Sequence, residues 1–343
     1  MKILAPVNSL QEGKALLKEG AQELYCGLNP EVCFKKNETG SWLNRREPGI
    51  ANLKNLGELK ELVKVAHEGE GKVFLTLNQP SYDPEDYQDI LALIENIEES
   101  IGVDAYIVAD PALIRLLKET YPHLVIHVSS LAAVLNSAAV SFFSQLSVKR
   151  IVFPRYLPLA TMENIIKESG NHLEYEAFIL NDGCVFEEGY CFVSHGFGGA
   201  FCHNPDWRYK PIKVNWQEKA DEQKVKRGYF RKEKEDFQMY LDEYKRWLWI
   251  GIKNFGGLSG YKGYPLGMCG ICALAHLKDM GVTSLKIVGR EAPLKKKMAS
   301  VRLVKEVLDY LDEGHSPDKV KNFAKSIRGT KGLCESGYMC YYR

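Results

Sequence analysis

Nine cysteines stand in this chain of 343 residues, and five of them are grouped. Cys184, Cys191 and Cys202 fall within a single Gly-rich stretch, and Cys269 and Cys272 form Met-Cys-Gly-Ile-Cys. Thiolates select zinc or iron–sulfur clusters, and either needs four of them. Zinc sites favour two tight knuckles, whereas six and ten residues separate the first three cysteines here. Wide, glycine-flanked spacing suits a four-iron (4Fe-4S) cluster, which accepts backbone N–H bonds to its sulfurs. Zinc, or free and buried thiols, are the alternatives, and Cys269 and Cys272 are equal candidates for the fourth ligand. Cys33, Cys334 and Cys340 lie in other segments and read as ordinary thiols.

Eight short runs rich in Val, Ile, Tyr and Phe alternate with helical patterns: 2–5, 23–26, 72–77, 104–108, 124–128, 150–153, 173–179 and 284–288. Helices are expected over 9–19, 55–68, 84–101, 110–119, 134–145, 158–169 and 296–312, several with start signals such as Ser9 and Asp110-Pro111. Strand followed by helix in this rhythm predicts an α/β fold, a (β/α)8 TIM-like barrel, with an open doubly wound sheet as the alternative. No Gly-x-Gly-x-x-Gly follows the first strand. About a hundred residues between strands seven and eight break the rhythm. The chain therefore divides into seven βα units (1–180), a Cys-rich and charged insertion (181–283), and a last strand, helix and tail (284–343).

In such a barrel the carboxyl ends of the strands form the active face. Polar residues just past each strand are the candidates there: Asn78, His127 with Ser129, Arg155, Asn181, and Arg290 with Glu291. The long basic side chains His127, Arg155 and Arg290 are expected to converge on an anionic ligand.

Formal net charge is +1, which denies the whole molecule a strong nucleic-acid field, and a composition 45% hydrophobic and 26% charged excludes a disordered chain. The amino terminus meets Pro6 and Asn8 too early for a signal peptide, and the apolar stretch 131–146 is too short to span a bilayer, so a cytoplasmic protein with no membrane span is expected. Two basic segments, 225–234 and 319–331, read either as RNA-binding or as solvated helix faces. The tail from Cys334, rich in Tyr, Met and Cys, is expected to dock on the body, and the insertion to shape substrate access.

The opening ILAPVNSLQEGKALLKEGAQELYCG, the loop Trp42-Leu43-Asn44-Arg45-Arg46, FLTLN at 74–78, HVSS at 127–130, EYEAFILNDGCVFEEGYC and GVTSLKIVGRE at 281–291 together resemble the peptidase U32 family. The resemblance covers roughly 1–204 and 265–310. Val288 stands where the family usually has Glu. The family is named for a collagenase-like protease, yet it also contains RNA-hydroxylating enzymes and proteins of oxygen-independent ubiquinone hydroxylation, which hold a four-iron cluster on four cysteines; some use prephenate as oxygen donor. The resemblance thus implies an iron–sulfur oxidoreductase, an oxygen-independent hydroxylase acting on an anionic aromatic, quinone-precursor or RNA-base substrate, with a partner chain or homodimer in some members. Cys184, Cys191 and Cys202 match the first three ligands. Arg45 and Arg46 match the Arg-containing loop, and with Ser129, Asn181 and Glu291 they become substrate-binding candidates beside the catalytic candidates His127, Arg155, Arg290 and Asn78. The competing functions are a U32-type peptidase, for which the chain shows no His-Glu-x-x-His or Gly-x-Ser-x-Gly motif, and a non-catalytic RNA-binding or assembly protein with a structural cluster.

Overall fold

The computed structural model describes residues 1–33, 43–46, 49–170, 172–181 and 263–329, together with 239, 242, 258, 259 and tail positions 334, 335, 337 and 340–342. Cys184, Cys191, Cys202, Trp42 and the charged stretch 206–238 lie outside the described residues.

Eight parallel strands close into a barrel: β1 (Lys2–Pro6), β2 (Glu23–Cys26), β3 (Lys72–Leu77), β4 (Ala105–Val108), β5 (Ile126–Val128), β6 (Arg150–Val152), β7 (Glu174–Leu180) and β8 (Ser284–Ile287), with β8 pairing both β7 and β1. Their near-continuous apolar runs follow from burial on both faces, the barrel interior on one side and the helices on the other. Ile3, Leu24, Val73, Ile126 and Leu285 pack outward against the helices, while Leu4, Tyr25, Phe74 and Ile107 fill the interior. The helices are α1 (Leu10–Glu19), α2 (Leu56–Glu68), α3 (Asp86–Ser100), α4 (Pro111–Thr120), α5 (Ser137–Gln145), α6 (Leu159–Ser169), α7 (Leu274–Asp279), α8 (Leu294–Asp312) and α9 (Pro317–Arg328). Side-chain caps start several of them: Asn55 accepts from Glu58 N at 2.9 Å, Asp110 from Ala112 N at 2.8 Å, and Asn136 from Ala139 N at 2.8 Å. Among the described residues no helix is long and apolar enough to cross a membrane.

The amino-terminal floor of the barrel is ionic. Arg150 donates to Glu23 (2.8 and 2.9 Å), Glu174 (2.7 and 3.0 Å) and Glu176 (3.1 Å), and Lys286 Nζ reaches Glu176 at 2.7 Å. Ser284 Oγ adds a bond to Glu23 at 2.7 Å.

At the other end, β7 carries one extra residue against β8, since Lys286 faces Phe178 but Ile287 faces Leu180. The Tyr342 hydroxyl donates to the Phe178 carbonyl at this bulge. Residues 268–270 run antiparallel along the end of β7, with Asn181 N to Met268 O at 2.8 Å and Gly270 N to Ile179 O at 2.9 Å. The tail in turn pairs with Cys269 through Tyr341 N to Cys269 O at 3.1 Å. Tyr341 is buried with Val152, Phe178 and Val288, so the tail docks on the body as expected. A Cβ on Gly270 would lie 2.4 Å from the Tyr342 ring. Gly270→Ala is therefore expected to lift the tail, and limited proteolysis should cut it near Cys340 at least ten times faster than in the parent chain, about 1.4 kcal/mol in the opening equilibrium; equal rates would contradict this docking.

One element was not visible in the sequence. Helix α7 lies inside the span read as insertion and serves as the barrel helix before β8. The basic segment 319–331 is mostly α9, whose Val320, Ala324 and Ile327 are buried and whose Arg328 bonds the Gly267 carbonyl.

Candidate active site at the carboxyl end of the barrel

Arg290 follows β8 and is buried. Its Nη1 donates to Asn52 Oδ1 at 3.0 Å and Thr76 Oγ1 at 3.1 Å, and its Nη2 to Asn44 Oδ1 at 2.7 Å. Each acceptor is itself fixed: Asn44 Nδ2 donates to Asn52 Oδ1 at 3.1 Å, and Thr76 Oγ1 donates to the Cys26 carbonyl at 2.8 Å. The Arg290 backbone carbonyl receives Lys297 Nζ at 2.5 Å and Asn8 Nδ2 at 3.0 Å. Gly27 lies under the guanidinium, where a Cβ would sit 2.1 Å from Nη1, so only glycine fits. Burial lowers the Arg290 pKa to about 10, opposed by Tyr25, and the group stays charged at neutral pH. Its hydrogen-bond acceptors are all neutral oxygens, an arrangement that leaves a fixed positive field for an anion.

The loop 43–46 folds over the end of β3. Asn78 Oδ1 accepts from Arg45 N at 3.3 Å, Asn78 Nδ2 donates to Ser129 Oγ at 3.4 Å, and Gln79 Nε2 donates to Asn44 O at 3.1 Å. Arg46 pairs with Glu291 at 3.7 Å on the rim. The structure thus brings Arg290, Asn78, Ser129, Arg45, Arg46 and Glu291 to one end of the barrel. Arg155 lies on the β6–β7 side, buried, with its guanidinium 5.9 Å from the centre of the Phe178 ring.

Two residues depart from the expectation. Asn181 gives its Nδ2 to Ser300 Oγ at 2.8 Å and so ties the end of β7 to α8. His127 does not stand at the mouth with the arginines. It lies inside the barrel, edge-on to Phe74 at 4.6 Å, because inward-pointing positions alternate along β5 and this one falls a layer deeper. Its Nδ1 has no hydrogen-bond partner, and burial, then Arg150 and Lys286, hold its pKa well below the ordinary value, so it is neutral. The unfolded chain takes up a proton near pH 6.5 that the folded chain refuses, so stability should fall as pH drops below about 6.5, by up to ~1.4 kcal/mol per pH unit. His127→Phe keeps the ring and should flatten this acid limb by one proton in denaturant titrations; unchanged slopes would contradict it.

Sequence reasoning missed Asn44, Asn52 and Thr76 as the cradle of Arg290. Asn44 and Thr76 sit inside quoted motifs, but nothing in the sequence marks their partner. A cavity of about 430 Å³ opens at the opposite, amino-terminal end beside Lys2, Glu23, Lys72, Arg150 and Glu174. Arg150 and Glu23 there are committed to each other, and barrels of this kind bind ligands at the other, carboxyl end. Burial raises the Cys26 and Cys33 thiols to about 12, which leaves both unreactive.

A closed barrel of eight parallel strands with flanking helices and a buried arginine cradle at its carboxyl end defines a TIM-barrel protein. The chain belongs to peptidase family U32, whose profile matches residues 8–343. An uncharacterized protease of Methanocaldococcus jannaschii is 26% identical over 96% of this chain and 70% of its own length. The tRNA hydroxylation protein P of Helicobacter pylori is 30% identical over 57% of this chain and 42% of that protein. An Escherichia coli 23S rRNA 5-hydroxycytidine synthase is 26% identical over 60% of this chain and 28% of that enzyme. The chain thus matches less than half the length of these two hydroxylation relatives. Among solved structures, a U32 peptidase covers 62% of this chain at 16% identity, with a TM-score of 0.44.

Proposed function

We propose that the chain is an oxygen-independent hydroxylase that replaces a ring C–H of an anionic substrate, a base within RNA foremost, by C–OH, with a four-iron cluster on Cys184, Cys191, Cys202 and Cys269. The oxygen comes from water or an organic oxygen donor, and the two electrons leave to an external acceptor. The observation that carries this reading is the buried Arg290 with only neutral acceptors, since such a site recognises a phosphate or carboxylate. Two relatives named for RNA hydroxylation support the reaction class.

Of the four cysteines, Cys269 is the described one, and its position fits the role. It is buried, and its backbone pairs with Leu180 at the end of β7, four residues before Cys184. Cys272 is half-buried and one turn further on. Four thiolates are the ordinary donor set of a 4Fe-4S cluster. When bound, such a cluster supplies one-electron transfer. In this reading Arg290 holds the substrate's anionic group, Asn78 and Ser129 order the loop above it, and Arg155 lies beside Phe178 where a planar ring would pass. His127 shapes the interior and contributes no charge.

The test is nucleoside mass spectrometry of total RNA from cells with and without the gene. A nucleoside heavier by one oxygen should vanish without the gene and return with the parent chain, but not with Arg290→Ala. Identical nucleoside profiles would remove RNA as the substrate.

A further inference from the structure

Against the Arg290 backbone lies a buried ion pair that the proposed chemistry does not use. Lys297 of α8 and Glu12 of α1 meet at 2.5 Å, with Lys297 1% and Glu12 8% exposed. The same Lys297 Nζ donates to the Arg290 carbonyl at 2.5 Å. Asn8, between β1 and α1, gives its backbone N–H to Glu12 Oε2 at 3.1 Å. Its Nδ2 donates both to the Arg290 carbonyl at 3.0 Å and to the Ile50 carbonyl at 2.7 Å, just ahead of Asn52 in the chain. These bonds close on themselves, since Asn52 Oδ1 accepts from the Arg290 guanidinium.

Arg290 needs this hold. It lies in the turn 289–292, closed by Ala292 N to Gly289 O at 2.9 Å, and Gly289 has a φ of 109°, a conformation that gives the turn a glycine pivot. Among the described residues, the two bonds on the Arg290 carbonyl are the ones that tie this turn's backbone to the rest of the chain. A buried ion pair is by itself a poor stabiliser, because stripping water from two charges offsets their attraction, and well-packed apolar groups of similar volume serve stability as well. What apolar groups cannot supply is a donor aimed at a carbonyl. Glu12 stands in the first turn of α1, where the helix start favours its negative charge, and so keeps Lys297 in place.

We propose that Lys297, Glu12 and Asn8 are positioning residues for Arg290: they fix the turn that carries it, so that the guanidinium stays in its cradle of Asn44, Asn52 and Thr76 with its charge held for an oxyanion. The ion pair accordingly serves ligand affinity and not stability. The ligand half of this statement rests on the anion-binding role of Arg290 proposed above; the positioning half does not.

Two variants of the full chain carry the test: Glu12→Met with Lys297→Met, which replaces the pair by apolar groups, and Asn8→Ala, which leaves the pair in place. Three quantities are compared with the parent: the thermal midpoint, the affinity for inorganic phosphate, and the rate at which phenylglyoxal modifies Arg290, read by peptide mass spectrometry. The double variant should keep its midpoint to within roughly 5 °C. It should bind phosphate roughly 10- to 100-fold more weakly, the loss expected of a displaced charged group. Phenylglyoxal should modify Arg290 at least roughly tenfold faster, since the loosened turn opens more often. Asn8→Ala should move affinity and modification the same way, and it alone decides if the double variant does not fold. A lowered midpoint with parental phosphate affinity and modification rate would make the pair an ordinary stabiliser and overturn the proposal, as would no change in any of the three. Faster modification in the variants, with no phosphate binding by the parent, would leave the positioning in place and count against the anion-binding role of Arg290 alone.

Discussion

Arg290→Ala is expected to abolish activity and to weaken binding of an anionic ligand by 10- to 100-fold, about 1.4–2.8 kcal/mol. The guanidinium is the donor shared by Asn44, Asn52 and Thr76; without it Asn52 Oδ1 keeps Asn44 Nδ2, Asn44 Oδ1 keeps Arg46 N and Thr76 keeps the Cys26 carbonyl, so the loss falls on the positive charge and not on the cradle's own bonds. The fold should survive, since Lys297 and Asn8 bond the Arg290 backbone and not its side chain. Arg290→Lys should fail to rescue, because a single ammonium cannot donate to both Asn44 and Asn52 in the fork geometry. Thermal-shift titration with inorganic phosphate is the check: stabilisation of the parent chain and none of either variant is expected, and equal stabilisation of all three would contradict the anion site.

Arg150→Met should produce the largest loss of stability, about 3–5 kcal/mol, because it leaves Glu23, Glu174 and Glu176 without their shared cation on the barrel floor. Lys286 continues to hold Glu176 and Lys149 continues to hold Glu174, so the buried Glu23 bears most of the cost. Adding Glu23→Gln should recover part of it, since the remaining buried charge is then smaller. Denaturant midpoints measure this directly; a loss under 1 kcal/mol for Arg150→Met would show that the floor network is not what holds the strand ends together.

All eight strands are legible because each is buried on both faces and so reads as a short, largely apolar run, and the helix starts are legible in Asn55, Asp110 and Asn136. The segment of helix α9 reads as RNA-binding as readily as helical because Lys319, Lys321 and Lys325 dominate its composition, while four apolar positions, Val320, Phe323, Ala324 and Ile327, seat it. Helix α7 is six residues long and follows a Gly- and Cys-rich stretch, too short for a period to show. The arginine cradle is a tertiary fact. Asn44 and Asn52 lie in the loop after β2, 246 and 238 residues before the side chain they bind, and no local pattern announces that contact. His127 illustrates the converse, for strand alternation alone would have placed it with Phe74 in the interior.

Anaerobic purification followed by an absorption spectrum and iron and sulfide analysis decides whether this barrel carries the proposed iron–sulfur cluster. A brown protein with about four irons and four sulfides per chain is expected, colourless and iron-free as Cys191→Ser but not as Cys334→Ser. A colourless parent chain free of iron and sulfide, above all one that cleaves peptides, would contradict it.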